Sequence, residues 1–256
     1  MILRRIIDHF RNQEWTAIAL DFAIVVLGVF LGLQVNNWNA SRLEASLERD
    51  VLANIVVDLQ ADARNLQAGI NMADVNIGAA SYTLDKAGLK PVSTVGLAVD
   101  NAIVPGMQME VSIQTEVSDK DAQHLWSLAV VRFHPVQSST AFDTLMSTGR
   151  LDLIRDQDIV AKLQAYRVQW EDVETSQDTT YRPFRNQAIF VGQKQGLSPF
   201  IEMPEEDYVA LVRDTPELAG ALRTLMEYSV LHRQQLYVTR ESTLALLHTL
   251  GAEEAP

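Results

Sequence analysis

The chain has 256 residues, no cysteine, and 21 basic against 33 acidic side chains, for a formal net charge of −12. The missing thiols exclude disulfides and thiolate metal sites. The acidic balance leaves no electrostatic footprint for DNA or RNA, so nucleic-acid partners are not expected.

The first predicted element is a membrane span. From Thr16 to Val35 there are twenty residues, twelve of them Leu, Ile, Val or Phe, and at about 1.5 Å per helical residue they cover roughly the 30 Å hydrocarbon core. Each of the twelve favours insertion by about 0.3 to 0.6 kcal/mol, against a cost of roughly 2.5 to 3.5 for an acid at mid-bilayer. Asp21 lies near the end of the segment, where the cost is smaller, so insertion wins. A buried helix of a soluble core rarely runs this long without a patterned polar face. No Ala-x-Ala site follows, and the sequence goes straight on as helix, which predicts an uncleaved signal anchor over 16–36. Arg4, Arg5 and Arg11 precede the span, and Arg42 and Arg49 beyond it are more widely spread. That bias predicts a short cytoplasmic tail over 1–15 and a periplasmic domain over 37–250. Up to Asn39 the three arginines cancel Asp8, Glu14 and Asp21, so the whole negative charge belongs to the remainder.

Polar residues mark both ends of this stretch. At 100° per residue, Gly28 and Gly32 fall within about 20° of the direction of Asp21, so one face carries all three. Small residues four apart allow close approach of membrane helices, and an intramembrane acid normally turns toward protein or water. Two readings stand: a helix-contact face of Asp21, Gly28 and Gly32, or glycines common in spans beside an acid reaching the cytoplasmic interface. At the far end Gln34, Asn36, Asn37 and Asn39 surround Trp38, whose indole suits the headgroup layer. These five are read as a membrane-interface anchor, with the lipid bilayer as first partner.

The acid at Asp21, the twelve apolar residues after it, and Gln34, Val35, Asn36, Asn37, Trp38 and Asn39 resemble the N-terminal signature of a family of uncharacterised bacterial single-pass membrane proteins. In that family glutamate usually stands where this chain has Asp21. Residues 139–166, "STAFDTLMSTGRLDLIRDQDIVAKLQAY", resemble the same family's helix, Ser-Gly turn, short apolar link and second helix. The two matches cover about a fifth of the chain. The resemblance implies a bacterial inner-membrane location and a mostly helical body. It brings no catalytic residues, because the family is a domain of unknown function.

The following sequence predicts a helical bundle on its own account. No Pro or Gly interrupts the chain from Ala40 until Gly69, so the span is expected to continue as one long helix. Leu52, Val56, Leu59, Ala63, Leu66, Ile70, Ala73, Ile77, Ala80 and Leu84 alternate spacings of four and three, a heptad seam. It packs inside the protein's own bundle or against a second copy. The supply of other amphipathic helices favours the first. "GLKPVSTVGLAVDNAIVPG", residues 88–106, reads as a connector holding at most a short strand. Ser118 with Asp121 opens a predicted helix through about Phe133, stopped by Pro135. Another runs from about Ser139 to a left-handed cap at Gly149. Asp156 caps a third, turning Ile159, Leu163, Tyr166, Trp170 and Val173 inward, with Pro183 kinking or ending it. Pro204, Glu205 and Glu206 open a short helix. Thr215-Pro216-Glu217 starts a long last one that can reach Gly251, before a frayed tail over 251–256. The fold class is therefore mainly α.

Chemistry is sparse. Among the five histidines only His124 stands at helical spacing from a nearby acid, as Asp121-x-x-His124. A di-metal bundle site needs two such pairs and two further carboxylates. Nucleotide loops, nucleophile elbows and zinc-protease motifs are missing from the sequence, so no cofactor, no metal and no enzymatic activity are expected. His232, a polar interruption between Leu225 and Leu236, is expected to be solvated or hydrogen-bonded. What remains is a scaffold or accessory subunit that contacts other membrane proteins or its own copies. The alternative is a periplasmic ligand-sensing domain, which would need a separate output partner because its tail is too short to signal.

Overall fold

The computed structural model describes residues 15–91 and 116–254, and among these the regular elements are helices with no strand. The chain divides into two compact units, Met1–Val51 and Leu52–Pro256. Residues 1–14 of the tail expected over 1–15, the Asp21 side chain, most of the 88–106 connector, and Ala255 and Pro256 lie outside the described residues.

Helix α1 runs Trp15–Lys86 without a break. Within the first unit its side chains from Phe22 to Leu43 are exposed, Phe22 at 70 % and Trp38 at 65 %. This is one helix near the N-terminus that is long and apolar enough to cross a membrane.

In the second unit the heptad seam becomes the centre of the bundle. Leu59, Ala63, Leu66, Ile70, Ala73, Ile77, Ala80 and Leu84 are all buried, while Leu52 and Val56 are half-buried beside the buried Ile55. Each fully buried leucine or isoleucine contributes about 1.5 to 3 kcal/mol relative to exposure. The covering is the chain's own. A Cβ on Gly69 would lie 2.7 Å from Leu236, and Asp74 pairs with Arg233 at 2.7 Å.

The single helix expected over 118–133 is two. Helix α2, Asp119–Ala122, begins under Ser118, whose hydroxyl accepts the Asp121 N–H at 3.1 Å. The turn breaks at Gln123, whose carbonyl accepts the Met203 N–H at 3.0 Å. Helix α3, Leu125–Val130, then ends before Phe133 is reached. Side chains take its last carbonyls: Asn76 Nδ2 donates to Leu128 at 2.6 Å and to Val131 at 2.7 Å, and Arg185 Nε donates to Val130 at 2.7 Å. These donors offset the cost of leaving the helix at this point.

Helix α4 spans Thr140–Thr148 and closes at Gly149, whose φ of 67° is the left-handed value that favours glycine. A short 3₁₀ turn, Leu151–Leu153, leads to α5, Gln157–Ser176, capped by Asp156 through the Asp158 N–H at 2.9 Å. Val160, not Ile159, is the first buried residue of α5, followed by Leu163, Tyr166, Trp170 and Val173; Ile159 is half-buried. Pro183 neither ends the helical path nor leaves a gap in it. A π turn, Gln177–Tyr181, widens the ring, with Arg182 N–H reaching Gln177 C=O, and α6 follows over Arg182–Lys194.

Helix α7, Glu205–Asp214, starts with Glu205, Glu206 and Asp207, the sign its N-terminal dipole favours. Helix α8, Pro216–Thr249, is the long last helix. Beyond it Gln60 Nε2 donates to Glu253 C=O at 2.8 Å and Arg240 grips both Glu254 oxygens at 2.8 Å. The core between α3, α6, α7 and α8 centres on Trp126, Tyr208, Leu222 and Met226.

Candidate functional site

Two regions hold groups that their own surroundings do not satisfy. The first is the exposed part of α1. Cβ atoms added at Gly28 or Gly32 would meet nothing within 4 Å, so both glycines open onto bare helix surface. Leu27, Phe30 and Leu31 beside them are each more than half exposed. One turn further on, the Arg42 guanidinium lies 5.9 Å from the Trp38 ring centroid, an edge of charge on the aromatic residue. Gln34, Asn36, Asn37 and Asn39 are exposed around it. A helix surface this apolar is stable only against lipid or another protein.

The second region lies inside the bundle and joins three segments distant in sequence. The stretch after α3 contributes Arg132 and His134, the π turn contributes Gln177 and Tyr181, and α8 contributes Ser229 and His232. Arg132 Nη2 donates to Ser229 Oγ at 3.2 Å, and its guanidinium carbon lies 5.3 Å from the Tyr181 ring centroid. Nη1 of Arg132 is buried and unpartnered among the described residues. The His232 ring packs 4.6 Å from that of Tyr181, is 3 % exposed, and has no hydrogen-bond partner on either nitrogen among those residues. Nδ1 of His134 and Oε1 of Gln177 are unpaired in the same way.

Electrostatics follow from this burial. Desolvation pulls Arg132 down to about 10, with Arg185 adding to the fall and Tyr181 opposing it, so the guanidinium is still charged at neutral pH. His232 is pushed down to about 3 by burial first, then by Arg132 and His134, and is neutral there. His134 moves in the same direction, mainly through burial, with Glu174 and Asp178 opposing. The expectation that His232 is solvated or hydrogen-bonded gives way to a buried, unpaired imidazole. Its sequence neighbours Ser229 and Arg233 could not reveal this, since the ring that covers it belongs to Tyr181.

A third polar group is fully satisfied and therefore structural. Asp62 Oδ1 accepts the Ser138 N–H at 2.6 Å, and Oδ2 accepts the Tyr166 hydroxyl at 2.9 Å. Asp58, one turn earlier, accepts the Ala141 N–H at 3.0 Å. Asp58 thus caps the first turn of α4 from another element, and Asp62 holds the chain just before it. Thr243 Oγ1 completes the chain by donating to Tyr166 Oη at 2.9 Å.

The remaining histidine candidate does not converge with others. Asp121 receives the Ser118 hydroxyl at 2.7 Å, and His124 stands 3.9 Å from Glu202. Among the described residues no group of three or more His, Asp or Glu side chains could hold a metal ion.

No protein-family model matches the chain, and no curated protein or solved structure matches it.

Proposed function

We propose that this protein is an anchored interaction subunit of the bacterial inner membrane. In this reading α1 holds it by a single span, its N-terminus is cytoplasmic, and its acidic helical domain works in the periplasm. The observation that carries the proposal is the bare apolar surface of α1, exposed from Phe22 through Val35 and open at Gly28 and Gly32. Lipid covers most of such a surface, while the glycine stripe offers a second helix close backbone approach. The arginine bias before the span supports the orientation. Specificity toward partners would come from shape and from charges at the rim of the acidic domain.

Two measurements test the reading. Alkaline phosphatase and fluorescent reporter fusions at the C-terminus give high phosphatase activity and no fluorescence if the domain is periplasmic; the reverse pattern overturns the orientation. Affinity isolation in native nanodiscs, followed by mass spectrometry, recovers a stable membrane partner or a homo-oligomer. Recovery of this chain alone as a monomer overturns the subunit role. A second reading, a ligand-sensing domain working through a separate output partner, is favoured by the unpaired cluster around Arg132.

A further inference from the structure

We propose that Arg132, His134 and His232 form a binding site for one small carboxylate anion, seated against the Tyr181 ring. The inference begins from an imbalance. A buried guanidinium is costly unless a carboxylate or several acceptors compensate it. Here the half-buried Arg132 has the Ser229 hydroxyl on Nη2, an aromatic face, and, among the described residues, nothing on its buried Nη1. Its charged neighbour is another cation, Arg185, whose Nε is committed to the Val130 carbonyl. Of the acids acting on His134, Asp178 pairs with Arg182 at 2.9 Å, and Glu174 is exposed to solvent, where its charge is screened.

Three further features set the class of ligand. His232 and His134 bring buried nitrogens with no partner among the described residues, so donors from two segments accompany Nη1. Burial keeps His232 neutral at pH 7 and moves His134 in the same direction, which leaves the guanidinium as the main charge at the centre and matches a monoanion better than a phosphate dianion. The guanidinium fork fits the planar pair of carboxylate oxygens. Arg132 and His134 are the half-buried members, in the stretch between α3 and α4 where Phe133 is 38 % exposed, so entry is from that side. π turns inside α-helices often occur at functional sites, and this one supplies Tyr181. The proposal concerns the helical domain and stands independently of the anchoring role.

The full chain in nanodiscs is titrated with sodium formate and sodium acetate against sodium chloride at constant ionic strength. Thermal midpoint and the imidazole 15N–1H correlations of His134 and His232 are followed. A saturable rise in midpoint, with a shift of the His232 correlation at the same concentrations, is expected. Arg132→Met should abolish both, and Arg132→Lys, which keeps charge but loses the fork, should weaken binding at least tenfold. His232→Leu tests the second donor without changing charge and should also weaken binding. The proposal fails if neither carboxylate gives a saturable response. It also fails if Arg132→Met or Arg132→Lys responds like the wild type, or if inorganic phosphate binds more tightly than either carboxylate.

Discussion

Tyr166 of α5 donates its hydroxyl to Asp62 of α1 at 2.9 Å, and both side chains are buried. The burial of Asp62 gives the bundle a pH dependence whose sign is fixed. Burial pushes the Asp62 carboxyl up to about 7, against the hydrogen bonds from Ser138 and Tyr166 that favour its charge, with Asp58 adding to the rise. The unfolded carboxyl titrates near its ordinary value of about 4. The folded state therefore holds a proton that the unfolded chain has lost between about pH 4 and pH 7, and stability falls as pH rises through that window. The contribution is present in full below about pH 4 and gone above about pH 7, with an upper limit of about 4 kcal/mol. Urea midpoints measured across this range should decline more steeply for the wild type than for Asp62→Asn. Parallel profiles would show that Asp62 titrates normally.

A second test uses two glycines of opposite surroundings. A Cβ on Gly192 would press on Cζ2 and lie 2.8 Å from Cη2 of Trp126, a rigid buried ring that cannot step aside. Gly220, in α8, has nothing within 4 Å of the same position. Gly192→Ala should cost about 1 to 3 kcal/mol by overpacking. Gly220→Ala should raise stability by about 0.5 to 1 kcal/mol through helix propensity alone. Chemical denaturation of the two variants separates the predictions by sign.

Asn76 supplies a third. Its one amide nitrogen serves the carbonyls of Leu128 and Val131, where α3 ends. Asn76→Leu keeps the branched shape, though with larger methyl groups, and leaves two acceptors without their donor, so a loss of about 1 to 3 kcal/mol is expected. Hydrogen exchange should quicken first at the amides of 125–131. A uniform rise over the whole bundle would instead mean that Asn76 acts through general packing.

Periodicity made the bundle legible. Leu59 through Leu84 could be placed on one seam because a helix repeats its faces locally, and Gly149 and Asp156 could be placed because caps depend on adjacent backbone. The polar interior could not be read that way. Asp62 sits on α1 next to seam residue Ala63, and its burial depends on Tyr166 more than one hundred residues later. Arg132, Tyr181 and His232 are brought together only by the packing of three segments. The break at Gln123 has the same origin, a carbonyl taken by Met203. Spacing alone favours Ile159, four residues before Leu163, over Val160, three before it, since both intervals return to nearly the same helix face.

The glycine stripe of α1 carries the last prediction. Gly28 and Gly32 touch nothing in their own chain, so larger side chains there cannot disturb the fold. Replacing both by Ile would add bulk only where a second helix would approach, and close packing of membrane helices depends on small residues at the contact. Gly28→Ile with Gly32→Ile should therefore lower crosslinking or membrane two-hybrid association at least tenfold, while expression and helical content stay at wild-type levels. The matched control, Leu27→Ile with Leu31→Ile, changes shape on exposed positions without adding volume and should leave association intact. If association survives the glycine replacements unchanged, that face of α1 belongs to lipid, and any partner must be held by the helical domain.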